Sequence, residues 1–487
     1  MNYFRNYALS TFVLTFVTLC HGQIQLGSDI AVWFHDQEHP YSVSTSADGA
    51  ILVIGASGKP LSHPGEVISF RWEGQEWHQM GSIIEGIKPY DRFGFSTSVS
   101  DNGLRLVACS HNSQYIQVYE FKDNNWFQVG EDIWGGKGSA ETHDVDISAN
   151  GNIVAVGAAN SPQPNIHRGV VRVYHYMDGA WKQLGDDILG ENDKDQSGWS
   201  ISLSDEGHTV AIGAMGNDNG GEKSGHVRIF TLTNGQWQQL GNDIRGRRAG
   251  DHFGKSVSLS ASGQRVAIGC LSAWSPLDET GYVSIYEFNA GKWENVGQDI
   301  FGYAAEHFGS QVSLNANGDR VVVYSSNNDD CPIRIYDYNG EGWVRAGNVI
   351  KSDRLYNNLG SEVCISADGK RVVALSQPDG GFVQAYDISN ISTKDISNED
   401  CGAPLEDGEE DFKIKVFPNP TFGEIRFEGI EIATLIEDRK ILLYDVLGRE
   451  VNAYIVANNS IDISMKPSGV YLLKVIDRVE KIIKVSL

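Results

Sequence analysis

The side chains best placed to do chemistry in this 487-residue sequence lie where a regular pattern is broken. At 142–146 the sequence reads THDVD, alternating His143 with Asp144 and Asp146 where other segments carry serines, and this irregularity marks His143 as a candidate binding residue. Asp91, Asp195, Asp251 and Glu306 share one repeated position, three residues before a glycine position. Repetition points to a turn or cap, because a catalytic acid needs a singular environment to shift its pKa. His252 and His307 follow two of these acids and read the same way. NDKDQSG at 192–198 imitates the start of a calcium loop, but the twelfth position counted from Asp193 is Ser204, where a bidentate glutamate is required. No H-E-x-x-H, G-x-S-x-G or P-loop is present. The expectation is no catalytic residue, no metal and no cofactor.

Recognition chemistry is more visible. Trp134 and Trp274 stand in variable segments outside any strand pattern, free to stack on a sugar ring or a peptide. Arg245, Arg247 and Arg248 form a basic cluster in an acidic region, suited to a carboxylate or phosphate or to local ion pairing. These five residues and His143 are the expected ligand-binding set.

The elements that must position them come from an internal repeat. A small-x-x-Gly turn after an alternating strand recurs seven times, with Gly49, Gly103, Gly151, Gly207, Gly263, Gly318 and Gly369 as its glycines. The clearest unit runs from DHFGKSVSLSASGQRVAIG to GYVSIYEFNAGKWENVGQDI and holds four strands of period-2 alternation. Four strands per unit, seven units and no helical stretch between them describe a seven-bladed β-propeller. Six units carry a tryptophan on the fourth strand, Trp77, Trp126, Trp181, Trp237, Trp293 and Trp343, whereas the seventh stops after FVQAYDI at 382–388. IQLGSDI at 24–30 repeats the missing ending, so this N-terminal strand is expected to close the ring and leave no open edge. In such a fold the loops between strands two and three and those between blades share one face, the expected place for recognition.

Residues 1–22 read as a secretory signal peptide: Arg5 precedes an apolar run, Tyr7 to Leu19, shorter than the roughly 20 residues a spanning helix needs. Leu19 is large for the residue before a lipid-modified cysteine, which disfavours Cys20 in that role. No other segment is apolar enough to be transmembrane. Five cysteines follow residue 22, odd in number and far apart, so no disulfide framework is expected despite export. The net charge of −24 disfavours nucleic acid and anionic lipid, whose binding rests on Lys and Arg. Residues 389–411 form an acidic linker.

DRFGFSTSVS, DHFGKSVSLS and EHFGSQVSLN, with VAIGA, resemble the FG-GAP repeats of integrin-like propellers. The third unit lacks Phe-Gly, and the Asp-rich calcium loop of that family is absent, so calcium is not carried over. Residues 412–487 resemble the type A C-terminal sorting domain of the type IX secretion system. The motif residues are Pro418, Asn419 and Pro420, then Tyr444, Asp445, Gly448 and Arg449, then Gly469 and Tyr471. The resemblance implies a small β-sandwich, passage through the type IX machinery, and release or attachment at the cell surface.

The sequence therefore reads as all-β: a signal peptide at 1–22, a propeller at 23–388 closed by 24–30, an acidic linker at 389–411 and a sorting domain at 412–487. It is expected to be a monomer, exported by the type IX machinery, binding an extracellular protein or glycan without a cofactor. The alternatives are a polysaccharide-acting hydrolase or lyase and a structural envelope component.

Overall fold

The computed structural model describes residues 23–31, 41–57, 63–134, 141–160, 167–271, 280–303, 306–326, 332–351, 358–377 and 381–391, together with seven strands between 415 and 485. The signal peptide, most of the acidic linker, Trp274, Pro420, Gly448 and Arg449 lie outside the described residues. The chain divides into two compact units, Met1–Cys401 and Gly402–Leu487.

The first unit is a seven-bladed β-propeller. Each blade is an antiparallel sheet of four main strands, and six of the seven add a two-residue strand that pairs with the third. The innermost strands are Ser42–Thr45, Phe93–Val99, Asp144–Ile147, Ser200–Leu203, Ser256–Leu259, Phe308–Leu314 and Asn358–Ile365. Along them, residues alternate between the apolar space between blades, where Val43, Val145 and Val257 are buried, and the central axis.

The seventh blade takes its outermost strand from the other end of the sequence. Ile24 pairs with Asp387 and Gln25 with Tyr386, and further along Ile30 pairs with Val383. Leu26 N–H adds a bond of 2.7 Å to Ala385 O.

Neighbouring blades belong to different sheets, so other groups must join them. On one face the small-x-x-Gly turns do so through their backbones. Ala47 N–H donates to Asp101 O at 3.0 Å, Asp101 to Ala149 at 3.0 Å, Ala149 to Asp205 at 2.9 Å and Asp205 to Ala261 at 3.0 Å. The chain of bonds continues through Ala316 and Ala367, and Asp368 N–H returns to Ala47 O at 3.3 Å, closing the circle. Within the turns the leading serine, or Asn315 in blade six, is occupied locally, as when Ser46 Oγ donates to Asp48 Oδ1 and accepts from Ile51 N–H.

At the outer edge the repeated tryptophans latch each blade to the one before. Trp181 Nε1 donates to Val129 O at 2.8 Å, Trp237 to Leu184 O at 2.7 Å, Trp293 to Leu240 O at 2.7 Å and Trp343 to Val296 O at 2.9 Å. Trp126 bonds Met80 O at 3.0 Å, and Trp77 bonds Leu26 O at 3.0 Å, so the N-terminal strand is latched like any other. That strand carries Gln23 at the tryptophan position, and Gln23 Nε2 donates to Asn348 O in blade six. The glycine after each latched residue is needed twice. Gly185 has φ +73°, and a Cβ there would sit 2.7 Å from Trp237 Cδ1.

The second unit holds two antiparallel sheets. Lys415–Asn419, Glu424–Glu428, Ser460–Asp462 and Tyr454–Ala457 follow one another in a four-stranded sheet. Ile441–Asp445, Gly469–Val475 and Arg478–Val485 form a three-stranded one. Pro418, Asn419, Tyr444, Asp445, Gly469 and Tyr471 lie on these strands. Among the described residues no helix is long and apolar enough to cross a membrane.

Candidate functional site

The residue that leads each innermost strand differs from blade to blade where the rest of the repeat is regular. It is Tyr41, Phe95, His143, Trp199 and Lys255 in blades one to five. The connections between blades deliver these residues to the face opposite the turn circle. There the side chains meet in one continuous arc. Tyr41 stacks on Phe95 with centroids 4.5 Å apart, and Phe95 on His111 at 4.1 Å. His111 meets His143 edge-on at 5.0 Å, and His143 lies 4.7 Å from Trp199. Lys255 Nζ sits 4.6 Å over the Trp199 ring, and the Arg92 guanidinium 4.8 Å over Phe95, so a cation lies over each of these rings.

The two histidines are held neutral. Burial and the neighbouring His111 push His143 down to about 4, and burial also lowers His111. His111 Nδ1 lies 2.7 Å from Thr142 O, while its Nε2 lies 3.7 Å from Glu141. Glu141 is kept ionised chiefly by a hydrogen bond of 2.9 Å from Asn160. Beside Glu141 opens a polar cleft of about 620 Å³, lined also by Asn160, Lys194, Gln196, Glu222 and Lys223.

Below the arc, side chains facing the axis tie each innermost strand to the next. Ser202 Oγ accepts Leu259 N–H at 3.0 Å, Ser258 accepts Leu314 N–H at 2.9 Å, and Ser313 accepts Ile365 N–H at 3.1 Å. In blade three the same places hold acids. Asp144 accepts Ser96 Oγ at 2.8 Å and Ile201 N–H at 2.9 Å, and Asp146 accepts Ser98 Oγ and Leu203 N–H, both at 2.7 Å. Glu362 of blade seven bonds Val43 N–H and closes this belt. Protein surrounds all three carboxylates, so burial raises Asp144 to about 7, Asp146 above the usual range and Glu362 well above it. Each still keeps some accessible surface, as befits a group facing a narrow channel.

Of the residues singled out in the sequence, His143 is central to the arc. Trp134 lies on the two-residue strand of blade two, 59% exposed, its ring 6.1 Å from Tyr115 and apart from the arc. Arg245 pairs with Asp243 at 3.0 Å, Arg247 pairs with Asp299 and covers Tyr282 at 5.2 Å, and Arg248 N–H donates to Asp251 at 3.0 Å. The arginine cluster is thus engaged with local acids rather than gathered at the arc. Tyr41, Arg92, Phe95, His111, Trp199, Lys255 and Glu362 escaped the sequence reading. Aligning the one variable column before each innermost strand would have found most of them.

The strands of the second unit coincide with a family match. Residues 415–485 fit the model of the secretion system C-terminal sorting domain. The C-terminal unit is a secretion sorting domain. It directs export by the type IX system, to the cell surface or the medium. No curated protein matches the sequence. Among solved structures, the chain is similar to Kuenenia stuttgartiensis hydrazine synthase, with 14% identity, a TM-score of 0.46, and coverage of 70% of this chain and 94% of that one. It is likewise similar to the Cps50 (Swd1) β-propeller domain of Myceliophteria thermophila, with 11% identity, a TM-score of 0.49, and coverage of 74% and 99%. Neither likeness speaks to function at these levels, and the seven blades rest on their own strand pairing.

Proposed function

We propose that this exported propeller is a binding protein whose ligand sits at the channel mouth, on the arc from Tyr41 to Lys255. The arc is the observation that carries the reading. Five rings in partial contact, partly open to solvent and flanked by Arg92 and Lys255, offer flat faces and cations on a rigid scaffold. With the polar cleft beside Glu141, this surface suits a saccharide chain, whose ring faces stack while its hydroxyls bond to side chains.

A glycan array probed with the exported chain tests the reading, followed by titration of the best ligand. Trp199→Ala and Phe95→Ala are each expected to weaken binding by about 1–3 kcal/mol while the fold is retained. Binding that survives both substitutions would place the site elsewhere.

A polysaccharide hydrolase or lyase is favoured by one observation: Asp144 and Glu362, both raised by burial, lie in the same channel, and the Asp144 charge raises Glu362 further. In that case purified chain would release reducing ends from a bound polysaccharide, and Asp144→Asn would abolish this. Against it, both carboxylates already accept backbone N–H groups.

A further inference from the structure

Blade four departs from its siblings at one buried position. In blades two and five the repeated acid is answered by a tyrosine from the third strand: Tyr115 OH donates to Asp91 at 2.9 Å, and Tyr282 OH donates to Asp251 at 3.0 Å. Blade six answers Glu306 with Arg334, whose Nη1 donates at 2.7 Å. Blade three holds Val170 in the tyrosine position, and its counterpart of the acid, Ser139, lies outside the described residues. In blade four the acid is Asp195 and the residue in the tyrosine position is His226.

His226 is fully buried, yet neither ring nitrogen has a hydrogen-bond partner. An imidazole ring so placed has a nitrogen free to act as a ligand. Leaving buried polar atoms unmatched is costly, so the site is primed for a partner. A third group converges here. Glu191 follows the glycine that opens the loop before Asp195, a place taken by Ile87, Arg247 and Tyr303 in blades two, five and six. Ligand atoms of Glu191, Asp195 and His226 all lie within 4.8 Å of one another.

We infer that Glu191, Asp195 and His226 form a binding site for a divalent transition-metal ion of the Zn²⁺ class. One imidazole nitrogen with two carboxylates suits such an ion, whereas Ca²⁺ and Mg²⁺ favour oxygen alone. Asn217 Nδ2 donates to Asp195 at 2.9 Å and orients it, the role that outer groups play around metal ligands. Glu191 is exposed and gives the ion its way in. Arg228 lies 3.7 Å from Glu191 and competes for that carboxylate, so the affinity is modest.

The test is titration of metal-stripped exported chain with Zn²⁺ against a chromogenic chelator, with melting curves taken with and without the ion. The expected result is one competing site per chain and a rise in melting temperature with Zn²⁺. His226→Tyr restores the pair that blades two and five use, so it should melt like the metal-free parent while binding Zn²⁺ at least tenfold more weakly. Glu191→Gln changes an exposed side chain, and it too should weaken binding at least tenfold. A parent chain that takes up no Zn²⁺, or variants that bind as the parent does, would overturn the assignment.

Discussion

His143 and Asp144 are sequence neighbours whose pKa values burial moves in opposite directions, each toward its neutral form. Asp144, raised from 3.8 to about 7, adds stability that is complete below about pH 4 and is lost as pH rises through 7. His143, lowered from 6.5 to about 4, adds stability that is present above pH 6.5 and is lost as pH falls toward 4. Relative to the parent, Asp144→Asn should therefore gain melting temperature as pH rises from 4 to 7. His143→Phe, which copies the Phe95 of the neighbouring blade, should gain as pH falls over the same range. Melting curves at half-unit pH steps check both, and a difference from the parent that does not change with pH would contradict the burial argument. At this scale the sequence was partly legible. THDVD stood out because acids replaced serines, but the contacts of His143 with His111 and Trp199 depend on separate blades packing side by side, which local pattern does not encode. For Arg245 and Arg247 the sequence offered both ligand binding and local ion pairing, because Asp243 and Asp299 carry no mark in the sequence as their partners.

Each blade joins its neighbours through three devices at different radii: the turn circle, the belt of serines and acids, and the tryptophan latches. The latch invites a direct measurement. Trp237→Phe keeps an aromatic ring beside Leu184 but removes the N–H that bonds Leu184 O at 2.7 Å, and should cost about 1–2 kcal/mol of stability. Gly185→Ala should cost more, since it strains a positive φ and drives Cβ into that same tryptophan. Denaturant titration of the two variants gives both values, and a neutral Gly185→Ala would show that the latch yields easily. The tryptophan and glycine columns were readable because both residue types repeat. The turn circle was not, because its bonds run between backbones and place no demand on side-chain identity.

At the scale of the whole molecule, the two ends of the sequence serve different purposes. The sorting domain concerns passage, and deleting residues 412–487 should leave folded propeller in the periplasm of a host with the type IX system, detected by fractionation and immunoblot. Unchanged secretion of that truncated chain would assign the signal elsewhere. The N-terminal strand concerns integrity. A propeller has no covalent link between its last blade and its first, so closure depends on residues from both ends sharing one sheet. Here the shared elements are the pairs Ile24 with Asp387 and Ile30 with Val383, the bond from Leu26 to Ala385, the Trp77 latch on Leu26 O, and Gln384 Nε2 donating to Asp29 at 2.7 Å. Ile30 is also packed into the apolar cluster between blades seven and one, with Val43, Val373 and Val383. Removing residues 23–31 strips these contacts together and exposes a strand edge along Phe382–Asp387, at a cost of several kcal/mol, with roughly 1 for each hydrogen bond and about 2 for the Ile30 side chain. The truncated chain should melt well below the parent and aggregate at concentrations where the parent stays dispersed, as followed by calorimetry and light scattering. A synthetic peptide of residues 23–31 added in excess should restore part of the lost melting temperature, because the edge it pairs with is still present. A truncated chain that melts with the parent would mean that the turn circle and the belt hold the ring shut without the strand.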